Sequence, residues 1–108
     1  MRSITTDHFK KQLKHLRKHR TLSADVTKAL QTFSKDNAQY LGAKLYKVRV
    51  RSSDGAKGKS GGFRLIVFCI EVTNHLIPIT IYRKSVQESI TEHELEYHLA
   101  CVRAELEL

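Results

Sequence analysis

Apolar residues in the first third of the chain recur with the period of amphipathic helices. Phe9, Leu13 and Leu16 share one face of a helix at this spacing, and they predict a first helix whose other faces are basic. Ser23 fits the N-cap position of a second helix. We also expect a short opening strand over residues 2–6. The apolar stripe predicted for the second helix consists of Leu22, Val26, Ala29, Leu30 and Phe33.

The pattern changes to a period of two after the polar run at residues 35–39 and Gly42. From about Lys44, basic and apolar side chains alternate, which predicts a strand with one basic face. Residues 63–72 are almost continuously apolar and rich in Val, Ile and Phe. A run of this kind is typical of a central strand that is buried on both faces.

A further strand is predicted over residues 76–82, after a turn at residues 73–75. Pro78 lies within this strand, and proline has no N–H to donate to a neighbouring strand. The strand should therefore lie at a sheet edge or carry a bulge at Pro78. Its alternating isoleucines are expected to share one face: Ile77, Ile79 and Ile81.

The end of the chain has the start signals of a helix. Thr91 and Glu94 form a capping box, and Ile90 and Leu95 have the spacing of a hydrophobic staple. Together the elements predict an α+β fold, in which two N-terminal helices pack on a small antiparallel sheet with a C-terminal helix. Residues 1–108 are expected to form one domain. The stripe of the last helix is Leu95, Leu99, Val102 and Leu106.

The composition adds a strong positive charge to this picture. The 108 residues include 19 Lys and Arg against 11 Asp and Glu, which gives a net charge of +8. The acids concentrate after residue 87, where six of them accompany one arginine, so the rest of the chain is more basic still. A field of this sign raises the local concentration of polyanions and favours a nucleic acid as partner.

The cysteines and histidines do not indicate a metal centre. Cys69 and Cys101 have neither a metal-binding nor a redox spacing, and we interpret them as reduced. His15 and His19 have the i, i+4 spacing of metal ligands, but no third ligand accompanies them. The sequence therefore predicts neither a metal nor a small-molecule cofactor. It contains no leader-like opening segment and no apolar run of membrane-spanning length, which favours a cytoplasmic protein without a membrane partner.

Lys47, Arg49 and Arg51 should project from one face of the basic strand. Side chains two positions apart on a strand lie about 6.5 to 7 Å apart, close to the spacing of phosphates along a nucleic-acid strand. Such a row fits a polyanion, although an exposed strand with a solvated outer face shows the same pattern. Arg64 opens the next strand among apolar neighbours, so its guanidinium needs either an external anion or a structural salt bridge.

A glycine-rich segment connects these two strands and contains the letters GKS at residues 58–60. A phosphate-binding loop needs a glycine where Ser53 stands, and it needs a helix after the serine, whereas here a strand follows. We interpret the segment as a hairpin connection. Lys57 and Lys59 within it can contact RNA phosphates without reading the sequence.

Three segments, YKVRVRSS, GKSGGFRLIVF and ITIYRKS, together with the order of helices and strands, resemble the RelE/HigB superfamily of bacterial toxins. The run at residues 57–68 is typical of its HigB-like branch. The resemblance implies the RelE-like fold and the toxin of a type II toxin–antitoxin pair. It implies a metal-independent mRNA endoribonuclease that acts on translating ribosomes and inhibits translation. Its partners would be a cognate antitoxin, mRNA and ribosomal RNA.

The resemblance also implies roles for single residues. Arg64 matches an arginine that contacts the scissile phosphate, in a reaction where the ribose 2′-OH attacks that phosphate and leaves a cyclic phosphate. No histidine stands at the end of the last predicted strand, where this chain offers Tyr82, Arg83 and Lys84, and no glutamate stands beside Lys47, so neither is expected as the acid or base. The residues implied to be catalytic are Lys47, Arg49, Arg64, Tyr82 and Lys84. Those implied to bind RNA are Arg51, Lys57, Lys59 and Arg83.

Two other functions are compatible with the sequence. The ParE-like branch uses the same fold to poison gyrase, but the presence of Lys47, Arg49 and Arg64 disfavours that function. A non-catalytic RNA-binding module would bind RNA with an affinity that falls steeply with salt, and it would yield no cleavage product.

Overall fold

The computed structural model describes residues 1–53 and 62–108. No helix in these two ranges is long and apolar enough to cross a membrane. In chain order the elements are strand β1 (Arg2–Ser3), helices α1 (Asp7–His15) and α2 (Leu22–Gln31), a 3₁₀ turn (Lys35–Asn37), strands β2 (Gln39–Gly42), β3 (Leu45–Val50), β4 (Phe63–Ile70) and β5 (His75–Arg83), and helix α3 (Glu92–Leu106).

A five-stranded sheet organises these elements. The strand order is β1-β5-β4-β3-β2. Neighbouring strands are antiparallel, except for β1 and β5, which are parallel. Helices α1 and α2 cover one face, where Leu65 of β4 clusters with Phe9 and Val26. Helix α3 packs on the other face, where its Val102 clusters with Ile66 of β4. The predicted α+β fold is confirmed, and β4 is the central strand with both faces buried.

The capping residues of α1 and α3 explain where these helices begin. Thr6 caps α1, because its hydroxyl accepts a hydrogen bond from the backbone N–H of Phe9 at 3.1 Å. The predicted capping box of α3 is confirmed. The Thr91 hydroxyl accepts from the Glu94 N–H, and the Glu94 carboxylate accepts from the Thr91 N–H, each at 3.1 Å.

Helix α2 begins earlier than the sequence predicts. Its N-cap is Thr21, so the assignment of Ser23 was wrong. The Thr21 hydroxyl makes no capping bond and instead donates to Asp25 Oδ2 at 2.8 Å. The early start brings Leu22, which is 4% exposed, into the core on the first turn of the helix. Core burial, rather than a capping side chain, sets this boundary.

Pro78 is accommodated by a bulge, as predicted. Ile66 pairs with Thr80 and the next residue of β4 pairs with Pro78, so Ile79 is the extra residue of β5. The extra residue reverses the alternation of side chains. Ile77 and Ile79 therefore lie on the α3 face, whereas Ile81 lies on the face of α1 and α2. The prediction that the three isoleucines share a face was wrong for this reason.

Strand β2 was not predicted. Its first three residues are exposed, and an edge strand with little buried surface shows no apolar alternation. A tight turn joins it to β3 through positive φ angles at Gly42, Ala43 and Lys44.

The other strand boundaries differ by a few residues. Strand β1 is shorter than the predicted range 2–6. Strand β4 ends at residue 70 instead of 72, since Val72 is 91% exposed, and the turn at residues 71–74 places Asn74 at a φ of 60°. Strand β5 consequently begins at residue 75 and ends at residue 83, one residue beyond each end of the predicted strand.

Candidate active site

Three side chains form a row across the α3 face of the sheet. Arg49 of β3 pairs with Arg64 of β4, and Arg64 pairs with Tyr82 of β5. Directly paired residues of antiparallel strands project from the same face, with Cβ atoms about 4.5 to 5.5 Å apart. Lys47 lies two positions before Arg49 on the same side of β3. We call these four residues the basic face.

The cations of the basic face are accessible. Arg49 is exposed, and Lys47 and Arg64 are half-buried. Within residues 1–53 and 62–108, Lys47 and Arg49 make no hydrogen bond or ion pair, so both remain open to an external anion. Arg64 donates through Nη1 to the carbonyl of Phe63 at 3.3 Å, which holds its side chain along the strand. The structure brings Arg64 beside Arg49, and it places Lys47 and Arg49 on one face of β3 as alternation predicts.

Tyr82 lies next to Arg64 on the same face of the sheet and is 7% exposed. Burial raises the pKa of its hydroxyl, Arg64 opposes this rise, and Glu88 adds to it. The backbone of Ile90 also opposes the rise in pKa, yet the hydroxyl makes no hydrogen bond of good geometry with the part of the chain that the structure describes. The phenol is therefore protonated at neutral pH and has a proton to donate.

Lys84 and Glu88 form an ion pair beside the row. Lys84 Nζ lies 2.6 Å from Glu88 Oε2, and the Lys84 backbone N–H donates to the Gly62 carbonyl at 3.2 Å. Bonding to Lys84 lowers the pKa of Glu88, and the charges of Arg64 and Lys47 lower it further. Glu88 is therefore a carboxylate at neutral pH within the field of the basic face.

Glu88 is not among the site residues predicted from the sequence, because the family resemblance points to a glutamate beside Lys47. Glu88 instead reaches the site from the turn after β5. The i, i+4 spacing of Lys84 and Glu88 was the signal that could have found it.

The remaining predicted RNA-binding residues are dispersed. Arg51 is exposed just past the end of β3 and lines the same cavity as Arg49. Arg83 pairs with Phe63, whose side chain lies in the core of α1 and α2, so Arg83 projects from the face opposite to the basic face. Lys57, Lys59 and the GKS letters at residues 58–60 lie outside the described residues.

Asp25 connects α2 to the segment that follows β3. Its Oδ2 accepts from the Thr21 hydroxyl at 2.8 Å and from the Ser53 backbone N–H at 3.1 Å. Burial opposes the ionisation of Asp25, but the hydrogen bonds from Ser53 and Thr21 outweigh it and lower the pKa. The contact fixes the chain immediately after Arg51.

His15 and His19, which have the i, i+4 spacing of metal ligands, do not lie on one helix. Helix α1 ends at His15, and the His19 ring packs edge-on against Phe63 with 5.0 Å between ring centroids. No group of three or more His, Cys, Asp or Glu side chains in residues 1–53 and 62–108 could hold a metal ion. Cys69 is buried and Cys101 is half-buried, and both are free.

The basic face carries two paired arginines, a lysine and a protonated tyrosine, with the Glu88 carboxylate nearby. These groups have the charge to complement a phosphate-containing polyanion and include side chains able to move protons. A family model described as the RelE toxin of the RelE/RelB toxin–antitoxin system matches residues 1–106. The chain belongs to this RelE toxin family. It is the toxin component of a toxin–antitoxin pair and a translation-inhibiting mRNA interferase.

A structure comparison agrees with the observed fold. The chain resembles a double arginine-to-alanine mutant of the E. coli toxin RelE in its free state, with a TM-score of 0.50 and 17% sequence identity. The match covers 94% of this chain and 95% of the E. coli chain. No curated protein matches the sequence. Assignment to the HigB-like branch stays a prediction.

Proposed function

We propose that the chain folds as one domain over residues 1–108 and cleaves mRNA on translating ribosomes in the cytoplasm, with the scissile phosphate bound on the basic face. The alignment of Arg49, Arg64 and Tyr82 across three strands carries this proposal. In this proposal both guanidinium groups would lie against one phosphodiester, with Tyr82 next to Arg64 on the same face. A cognate antitoxin would block the activity by covering the same face with acidic side chains.

The proposed reaction proceeds without a metal. The ribose 2′-oxygen attacks the adjacent phosphorus, the bond from phosphorus to the 5′-oxygen breaks, and the products are a 2′,3′-cyclic phosphate and a 5′-hydroxyl. Negative charge increases on the phosphoryl oxygens in the transition state. Arg64 supports this charge best, because its planar fork can bind two oxygens at once, and Arg49 and Lys47 add to the stabilisation.

Glu88 and Lys84 are the proposed base and acid. The Glu88 carboxylate accepts the proton of the 2′-hydroxyl, and the Lys84 ammonium donates a proton to the leaving 5′-oxygen. Entry of the substrate separates the ion pair and turns each partner toward a different oxygen. Tyr82, buried between Arg64 and the residue 84–90 segment, positions these groups. Arg51, Arg83, Lys57 and Lys59 would bind RNA phosphates away from the bond that breaks.

Induction of the toxin in bacteria tests this proposal. Wild-type protein should arrest growth and produce new mRNA ends, whereas Arg64→Ala should reduce cleavage by at least about 100-fold, as the loss of a transition-state donor does. Arg103→Ala removes an exposed arginine from α3 and serves as the matched control. Undiminished cleavage by Arg64→Ala would contradict the proposed role. Growth arrest with intact messages would favour gyrase poisoning or RNA binding without cleavage.

A further inference from the structure

Gln12 of helix α1 binds the backbone of β5 past the point where β1 ends. Strand β1 pairs with only the first two residues of β5, and in the part of the chain that the structure describes no other strand flanks β5 on this side. The Gln12 amide binds groups that a neighbouring strand would otherwise bind. Its Nε2 donates to the Ile79 carbonyl at 3.0 Å, and its Oε1 accepts from the Ile81 N–H at 3.4 Å.

These hydrogen bonds surround the bulge of β5. Ile79 is the extra residue of the strand. The hydroxyl of Thr80, the next residue, donates to Gln12 Oε1 at 2.6 Å. Both residues of β5 are buried, and a buried polar group without a partner destabilises the fold. Gln12, which is half-buried, therefore satisfies the polar groups at the bulge.

We infer that Gln12 is a positioning residue for RNA cleavage, because it fixes the extra residue of β5 at Ile79 and thereby keeps Tyr82 on the basic face. The inference rests on the proposed function, in which Tyr82 positions the base and the acid. Gln12 acts through the backbone of β5 and not by contact with RNA.

The location of the extra residue decides which later side chains of β5 face the substrate. Tyr82 pairs with Arg64 on the basic face, and Leu65 pairs with Ile81 on the face of α1 and α2. Shifting the pairing of a strand by one residue turns each side chain to the other face of the sheet. If the bulge were lost, Ile81 would stand opposite Arg64, and the Tyr82 ring would turn toward the core of α1 and α2.

An amide is suited to this role, whereas the basic side chains around it in the sequence are not. A glutamine side chain has both a donor and an acceptor, as the Ile79 carbonyl and the Ile81 N–H require. Lysine has donors only, so the side chain of Lys11 or Lys14 could not accept from an N–H or a hydroxyl. Gln12→Lys therefore keeps a donor for Ile79 and removes the acceptor, whereas Gln12→Met keeps the length of the side chain and removes both.

Single-turnover cleavage on mRNA-programmed ribosomes tests the inference. Gln12→Met and Gln12→Lys should each lower the rate constant at saturating ribosome concentration by about 10-fold or more, because the groups that move protons are displaced. The ribosome concentration that gives half of the maximal rate should stay at the wild-type value, since the cations of β3 and β4 keep their places. The lysine variant decides the result if the methionine variant does not fold.

The NMR resonances of labelled tyrosine rings provide a second measurement that needs no RNA. Tyr82→Phe identifies the resonance of Tyr82, which should shift in both Gln12 variants. Thr6→Ala is the matched control, because it removes the cap of the same helix and leaves Gln12 in place. It should lower the melting temperature. At a temperature where every variant is folded, it should keep the wild-type saturating rate and the wild-type Tyr82 resonance.

The outcomes separate this inference from the proposed function. An unmoved Tyr82 resonance in the Gln12 variants, or a saturating rate equal to that of Thr6→Ala, would overturn the inference and leave the proposed function standing. A change in the half-saturating concentration alone would also overturn it, because Gln12 would then affect binding and not positioning. A wild-type protein that cuts no RNA would overturn the proposed function instead.

Discussion

At the scale of single residues, Glu88 gives the proposed chemistry a base that is ionised at neutral pH. Lys84 lowers the pKa of Glu88 below its ordinary value of 4.5, and Arg64 and Lys47 contribute to the shift. A base works in its deprotonated form, and kcat/KM reports the free toxin, in which the ion pair is intact, so kcat/KM should fall only as the pH drops below about 4.5. Between pH 5 and pH 7 this group should impose no pH dependence.

Glu88→Gln tests this assignment directly. The substitution keeps the size of the side chain and removes the carboxylate, so it should lower the single-turnover cleavage rate by about 100-fold or more. Glu96→Gln changes an exposed acid of α3 and should cleave at the wild-type rate. A Glu88→Gln protein that cleaves as fast as Glu96→Gln would exclude Glu88 as the base.

Gly62 precedes β4 and accepts a hydrogen bond from the backbone N–H of Lys84 at 3.2 Å. It has a φ of +66°, and a Cβ at this position would lie 2.4 Å from the carbonyl oxygen of Val50. Gly62→Ala should therefore destabilise the fold by roughly 2 to 4 kcal/mol, since it adds a clash with the backbone to an unfavourable φ. Urea unfolding measures the loss.

Gly42 supplies the comparison for that measurement. Its φ is +92°, but nothing lies within 4 Å of a Cβ built there. Gly42→Ala should lower the free energy of unfolding through backbone strain alone, so its effect should be smaller than that of Gly62→Ala. Equal losses would mean that the contact with Val50 relaxes at little cost.

At the scale of elements, helix α3 depends on its capping box. Thr91→Ala removes the side-chain acceptor of the Glu94 N–H and should lower the free energy of unfolding by about 1 kcal/mol. Thr27→Ala is the control, because it removes an exposed hydroxyl that donates only to the Ser23 carbonyl of its own helix. It should change the free energy of unfolding by less than about 0.5 kcal/mol in either direction, as most surface substitutions do. Thermal unfolding of both variants distinguishes them, and equal melting temperatures would contradict the capping role.

Elements with strong local signals could be predicted from the sequence, whereas those set by packing could not. The capping box at Thr91 and the apolar run of β4 are local patterns, and both are confirmed. Strand β2 exists because it pairs with β3, although its own residues are mostly exposed. Pro78 predicted a bulge in β5. The sequence does not specify which residue is the extra one, so it could not predict that Ile81 lies on the opposite face from Ile77 and Ile79.

At the scale of the whole molecule, the candidate site combines contributions that are far apart in the chain. The register of β3, β4 and β5 brings Arg49, Arg64 and Tyr82 together. Alternation along β3 was enough to predict that Lys47 and Arg49 share a face, but not that Arg64 of the next strand lies beside them. Glu88 comes from the turn that follows β5. Its position depends on the tertiary fold, so periodic patterns could not place it.

The net charge of +8 and the basic face fit an RNA substrate, but charge alone does not distinguish binding from cleavage. The end groups of the product make that distinction. Purified wild-type protein should be incubated with mRNA-programmed ribosomes in the presence of a chelator, and the new ends should be characterised chemically. The proposed mechanism predicts 2′,3′-cyclic phosphates with 5′-hydroxyls from the wild type and their loss in Arg64→Ala. Products with 5′-phosphates, or equal cleavage by Arg64→Ala, would contradict it.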